Sequence, residues 1–148
     1  MDLDAARDFL RNNHRAVITS RRANGDPQLS PVMCGIDAAG RIVVSTRETA
    51  LKVKNLRRDP RASLCVLNDG FFGDWIQVDG TAEIVSLPEA MELLIDYYRS
   101  LAGEHPDWDE YREAMRIQDK SLIRITPTRS GPIATGGFPG DVAARLDG

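Results

Sequence analysis

Five basic side chains crowd residues 50–64, ALKVKNLRRDPRASL: Lys52, Lys54, Arg57, Arg58 and Arg61. The stretch reads as a short helix that carries Ala50, Val53 and Leu56 inward, with Thr49 placed to cap it. It stops at Asp59-Pro60, because a residue before proline resists helical backbone angles. At 3.6 residues per turn the five cations cannot all point one way. Lys52 falls in the first turn, where free backbone N–H groups and the positive end of the helix dipole collect. Beside it stand the hydroxyls of Ser45, Thr46 and Thr49. Together these groups suit an anion such as a phosphate. Arg57 and Arg58 fall in the last turn, where the dipole alone favours cations. A solvated basic face explains the same residues, and composition alone leans that way.

A second polar set lies in PQLSPVMCGID, where Gln28 and Ser30 share a strand face with Val32. They either face water or bond the polar edge of a flat heterocycle while Pro31 and Val32 pack against it. Trp75, close to Phe71 and Phe72, reads either as core or dimer contact or as a wall for an aromatic ligand. The two histidines, His14 and His105, are too few and too isolated for a metal site. His14 suits a capping or surface role at a helix exit, and His105 is expected at the surface. Glu104, Asp107, Asp109 and Glu110 fit the N-terminal turn of a helix, which carboxylates favour. No Ser-His-Asp arrangement is legible.

The elements that must position these groups follow from pattern. A chain of 148 residues, 42% hydrophobic and 28% charged, suits one globular domain. A net charge of −3 leaves no basic excess for a dedicated nucleic-acid binder. Cys34 and Cys65 lie in separate apolar segments and are expected reduced and buried. No apolar run approaches the roughly 18 residues of a membrane span, and the start MDLDAARDFL lacks signal-peptide regions, so a cytoplasmic location is expected.

DLDAARDFLRNN has helical spacing with Asp2 as its cap. RAVITSRR, PQLSPVMCGID and RIVVST read as strands, Pro31 marking an edge or a bulge in the second. ASLCVLN and DWIQVDGTAEIVS follow the basic helix. LPEAMELLIDYYRSLAG is an amphipathic helix with Pro88 in its first turn and Gly103 at its exit. DWDEYREAMRIQ is another helix, KSLIRITPTR a late strand, and Gly131–Gly140 is irregular. Strands in runs with helices between them favour an α+β fold around an antiparallel sheet or barrel. No GxGxxG after a strand and no GxxxxGK[ST] is present, which leaves Rossmann and P-loop sites unsupported.

These segments resemble the pyridoxamine 5′-phosphate oxidase-like family of flavin and deazaflavin proteins. The match is strongest over KVKNLRRDPRASL, where Lys52, Leu56 and the Asp59-Pro60 stop stand in the family's spacing. PQLSPV before it and DWIQVDGTAEI after it keep the family's order, and the likeness runs from about Phe9 to Pro139. LIDYYRSLAGEHPDWDEYREAM is similar to the branch that uses coenzyme F420, the group B deazaflavin-dependent reductases. The resemblance implies a mainly β, α+β fold: a split β-barrel of antiparallel strands, six-stranded and Greek-key-like, with flanking helices. It implies one domain over residues 1–148, ending in an irregular tail over 131–148.

It also implies that Lys52 contacts the cofactor phosphate, with Asn55 near the same face. Gln28, Ser30, Pro31 and Val32 match the strand that faces the tricyclic ring, and Ser45 and Thr46 the strand end that approaches the phosphoribityl chain. Trp75 matches a region donated by the second subunit of a homodimer with two interfacial sites. Relatives carry an arginine just before the lysine; here Ala50 and Leu51 stand there, and Arg47 is expected to substitute. The tail GPIATGGFPGDVAARLDG lacks the arginine- and histidine-containing motif of true pyridoxamine phosphate oxidases, which disfavours vitamin B6 oxidation.

The implied activity is an F420H2-dependent oxidoreductase that passes hydride to an electron-poor C=C bond of a small organic molecule. Lys52 and Arg47, with Arg57 or Arg58, would neutralise the cofactor's anionic end. No side chain is assigned as catalytic acid. An FMN enzyme of the same fold and a non-catalytic F420 carrier are the alternatives.

Overall fold

The segments IVVS and SLIRI are apolar at nearly every position, which a strand tolerates only when both of its faces are covered. In the computed structural model, which describes residues 2–136, both are. The order is α1 (Leu3–Asn12), β1 (Arg15–Arg21), β2 (Pro27–Ile36), β3 (Ile42–Arg47), α2 (Leu51–Arg58), β4 (Arg61–Leu67) and β5 (Asp74–Val85). Then come α3 (Met91–Ala102), α4 (Trp108–Ile117), β6 (Lys120–Ser130) and β7 (Ala134–Thr135). The strands run β4-β1-β2-β3-β6-β5 around the sheet, every neighbouring pair is antiparallel, and β4 pairs with β5 to close a six-stranded barrel. Closure satisfies the backbone groups that an open edge would expose. The split β-barrel expected from sequence is the fold observed.

Alternation along the strands sends Ile18, Val44, Leu64, Ile76, Ile123 and Ile125 into the barrel, each at most 1% exposed. Each such burial contributes about 1.5–3 kcal/mol. Ala6 and Leu10 of α1 join this interior, and Asp2 caps that helix as expected, accepting from the Ala5 amide at 2.8 Å. The neighbours Val43 and Leu122 point the other way, against Leu94 and Ile95 of α3 and Tyr111 and Met115 of α4. The α3–α4 hairpin therefore rides on the outer face of β3 and β6. Gly80 sits at a register shift between β5 and β6, where a Cβ would lie 2.5 Å from the Thr126 carbonyl oxygen.

Pro31 carries a consequence for the site. β2 pairs with β1 through residues 27–33 but with β3 only through Cys34–Ile36. The first part of β2 is therefore a local edge on its β3 side, where proline's missing N–H costs no ladder bond. The barrel is split there.

Three local expectations are corrected. Thr49 does not cap α2: the N-cap residue is Ala50, with no side-chain cap bond. Pro88 lies before α3, which begins at Met91, rather than in its first turn. Within the stretch expected to be irregular, Ala134 and Thr135 pair with Trp75 and Asp74 as β7; residues 137–148 of the expected tail lie outside the described residues. Cys34 is buried and Cys65 half-buried, both as free thiols. Among the described residues no helix is long and apolar enough to cross a membrane.

Candidate functional site

The split opens into a cavity of about 530 Å³, within the size range of small-molecule sites. Its sheet side is Pro31, Val32 and Met33 of β2 with Ser45 of β3. Its helical side is Tyr97 and Tyr98 of α3, with Tyr111, Met115 and Gln118 from and just after α4. Lys52 of α2 and Lys120 of β6 complete the lining. An apolar strand thus faces an aromatic wall, with two ammonium groups in the same cavity.

No acceptor among the described residues takes the Leu51 or Lys52 amide, since the first backbone bonds of α2 come from Val53 and Lys54 to the Ala50 carbonyl. Burial pushes the Lys52 ammonium below its ordinary value. The Lys120 ammonium is pushed down first by burial, then by repulsion from Arg47 and Lys52. Arg47 is directly across from Lys120 in the β3–β6 register. Among the described residues none of these three cations makes an ion pair. Together they form a concentration of positive charge that no described carboxylate pairs.

The arginines of the same stretch are engaged elsewhere. Arg57 lies 2.5 Å from Glu48 and donates to the Ser86 hydroxyl at 3.0 Å. Arg58 donates to the Arg21 carbonyl at 2.7 Å and to Asn55 Oδ1 at 3.0 Å, and Arg61 pairs with Asp59 at 2.7 Å. Neither Arg57 nor Arg58 lines the cavity. Glu48 also accepts from Ser121 and from Ser86 at 2.8 Å, and these bonds, Ser121 foremost and with Arg57 added, hold its carboxyl below the usual range. The basic helix therefore divides: Lys52 serves the cavity, while its arginines brace the fold.

Of the residues singled out from sequence, Pro31, Val32, Ser45 and Lys52 meet in this cavity. Thr46 does not, because strand alternation turns it to the opposite side, where it is 5% exposed. Gln28 and Asn55 belong to an internal polar string. Asn55, 1% exposed, donates to the Ser20 hydroxyl at 3.1 Å, and Ser20 donates to Gln28 Oε1 at 3.1 Å. Ser30 Oγ is buried without a partner among the described residues and does not line the cavity. Trp75 lies on β5 between Leu67 and Ala134, outside the lining.

Sequence reasoning missed Lys120, because its place depends on a pairing with β3 from far along the chain. It also missed the tyrosines. The only local signal was YY within an amphipathic helix, which reads equally well as core. Tyr97 donates to the Met33 carbonyl at 2.9 Å and so ties the helical wall to the split strand; Tyr111 donates to Leu94 at 2.8 Å. Burial pushes both phenols up to about 12. Among the described residues the Tyr98 hydroxyl has no hydrogen-bond partner, while its ring packs edge-on against His105, Trp108 and Tyr111 at centroid distances of 5.1–5.8 Å. His105 is therefore half-buried in an aromatic cluster rather than exposed. His14 bonds the Cys34 carbonyl at 2.9 Å. Among the described residues no group of acidic, histidine or cysteine side chains is placed to hold a metal ion.

Solved structures share this fold. A conserved hypothetical protein of Mycobacterium tuberculosis superposes with a TM-score of 0.70 at 22% identity, over 93% of each chain. A protein named an F420 reductase superposes with a TM-score of 0.65 at 17% identity, over 84% of this chain and 94% of that one. A heme binding protein of Mycobacterium smegmatis gives 0.65 at 20% identity, over 97% of this chain and 60% of that one. At these identities the likeness speaks for the fold. Residues 3–133 match the sequence profile described as pyridoxamine 5′-phosphate oxidase, so the chain belongs to that family.

Proposed function

We propose that the chain is an F420H2-dependent oxidoreductase acting on an electron-poor C=C bond of a small organic molecule. The single observation that carries this is Lys52: a partly desolvated cation, unpaired among the described residues, beside an apolar strand in a cavity of about 530 Å³. The residues present fit a flat, anionic redox coenzyme. When bound, that group supplies the hydride donor. The chain's own part is binding and orientation. Lys52 holds the anionic end by a charge-assisted contact, and the free amides at the start of α2 add to it. Ser45 offers a hydroxyl along the strand, while Pro31 and Val32 present an apolar face to the ring. Arg47 adds positive potential from the end of β3 in place of the arginine that relatives carry before the lysine. Tyr98 is the cavity's phenol whose hydroxyl no described residue engages, available to orient a polar substrate group.

A shallow apolar groove of Ala16, Val17 and Leu67 shares Pro31, Val32 and Met33 with the cavity. Leu29, 58% exposed, and Met33, 47% exposed, extend this apolar surface. Such a face beside the site supports a homodimer with interfacial sites, in which the Trp75 region faces the partner's cofactor. A haem-binding reading finds less support, because neither His14 nor His105 lines the cavity.

Titration with F420 and FMN side by side, followed by turnover of an enone with reduced F420, tests the proposal. Saturable quenching of F420 fluorescence and loss of the enone are expected. Yellow protein that retains FMN and ignores F420 would replace it with the flavin reading. F420 binding without turnover of any enone would replace it with the carrier reading.

A further inference from the structure

Lys120 begins β6 immediately after an unusual turn. Helix α4 ends at Ile117 with Gln118 as its C-cap, and Asp119 follows with φ of 49°. It is the only non-glycine residue with positive φ among the described residues. Left-handed backbone is costly for most L-residues and tolerated best, after glycine, by Asn and Asp. This conformation is held in place: the Asp119 amide donates to Arg116 at 3.1 Å, and its carbonyl accepts from the Glu48 amide at 2.9 Å. The neighbouring Ser121, fully buried, donates to the Glu48 carboxylate. The turn is therefore fastened on both sides of Lys120 to the β3–α2 connection, and α2 carries Lys52.

The result is a pair of lysines from distant parts of the chain in one cavity. Their mutual repulsion, with Arg47 added, is felt at Lys120. Glu48, the carboxylate between β3 and α2, is already taken up by Arg57, Ser86 and Ser121. A fold that fastens two cations beside one another and gives neither a counter-ion among the described residues carries a local electrostatic cost that a bound anion relieves.

We infer that Lys120 is a second anion-binding residue of the site, aimed by the Asp119 turn so that a phosphate is gripped between α2 and the start of β6. This rests on the reading of the cavity as a redox-cofactor site, but it concerns a residue that the Lys52 motif does not contain. A phosphate held from two elements also fixes the direction in which the ring enters the cavity.

The experiment compares the wild type with Lys120→Met, Lys120→Arg and Lys52→Met. It measures dissociation constants for F420, FMN and inorganic pyrophosphate by fluorescence or calorimetric titration at fixed ionic strength, with the melting temperature of each ligand-free protein. Lys120→Met is expected to weaken pyrophosphate and the bound cofactor about 10- to 100-fold, and Lys120→Arg to retain most of the affinity. The ligand-free Lys120→Met protein should melt at or above the wild-type temperature, since the substitution removes repulsion. Lys120→Met binding every probe as the wild type does, or losing affinity only with a lowered melting temperature, would overturn the inference. If the former occurs while Lys52→Met loses the cofactor, the cofactor reading stands. If the wild type binds pyrophosphate through both lysines but neither cofactor, the two-lysine grip stands and the cofactor reading falls. No binding of any probe to the wild type overturns both.

Discussion

Replacing Glu48 by alanine removes the acceptor that gathers three side chains beside the site. Its carboxylate takes bonds from Ser121 at the start of β6, from Ser86 before α3 and from Arg57 of α2. Ser121 is fully buried, so its hydroxyl is left without this acceptor, at a cost of about 1–3 kcal/mol. Loss of the charge-assisted bond from Ser86 adds roughly 1.5 kcal/mol. Arg57 is 49% exposed and contributes at most about 1 kcal/mol. Because these bonds share one carboxylate they do not add fully, and a loss of about 3 kcal/mol is expected. Urea denaturation should show a lower midpoint at unchanged m-value.

The acid limb provides a second readout. The folded-state pKa of Glu48 lies below its ordinary value of 4.5, with Ser121 the largest cause. Its stabilisation is therefore present above that value and lost as pH falls through the folded pKa. Glu48→Gln should flatten the fall of stability below about pH 4.5. A loss under about 1 kcal/mol in Glu48→Ala, or an unchanged acid limb in Glu48→Gln, would refute the claim that this carboxylate fastens β6 to α2.

Two further outcomes follow from the packing. Leu122, fully buried between the outer face of β6 and the helical hairpin, should cost about 2–5 kcal/mol as alanine in chemical denaturation; a cost below about 1 kcal/mol would mean that the hairpin is not packed there. Tyr97→Phe removes the bond to the Met33 carbonyl, and should lower stability by about 1 kcal/mol and weaken cofactor binding by letting the helical wall part from β2; unchanged stability and affinity would remove Tyr97 as that tie.

What the sequence made legible was local. The order of helices and strands followed from periodicity, and Pro31 marked an edge or a bulge because its missing N–H cannot join a ladder; the structure makes it an edge. Lys52 stood out because helix start, cation and Asp-Pro stop lie within one turn or two of each other. Lys120 and the tyrosines did not, because their relation to Lys52 exists only once β6 pairs with β3 and the hairpin folds over both. Gln28, Ser30 and Asn55, which the resemblance also singled out, stand apart from the cavity lining. A polar residue in an apolar strand or helix looks like a ligand contact, yet Gln28 and Asn55 satisfy one another through Ser20, and none of the three lines the cavity. Thr49 had the right residue type for a cap, but the backbone begins α2 one residue later.

In the proposed function Lys52 holds the anionic end of a redox coenzyme at the split of the barrel. Fluorescence titration of F420 into the wild type and Lys52→Ala, with circular dichroism to verify the fold, tests it most directly. An intact fold and affinity reduced about 10- to 100-fold are expected. Equal affinity in the two proteins, with the fold intact, would contradict it.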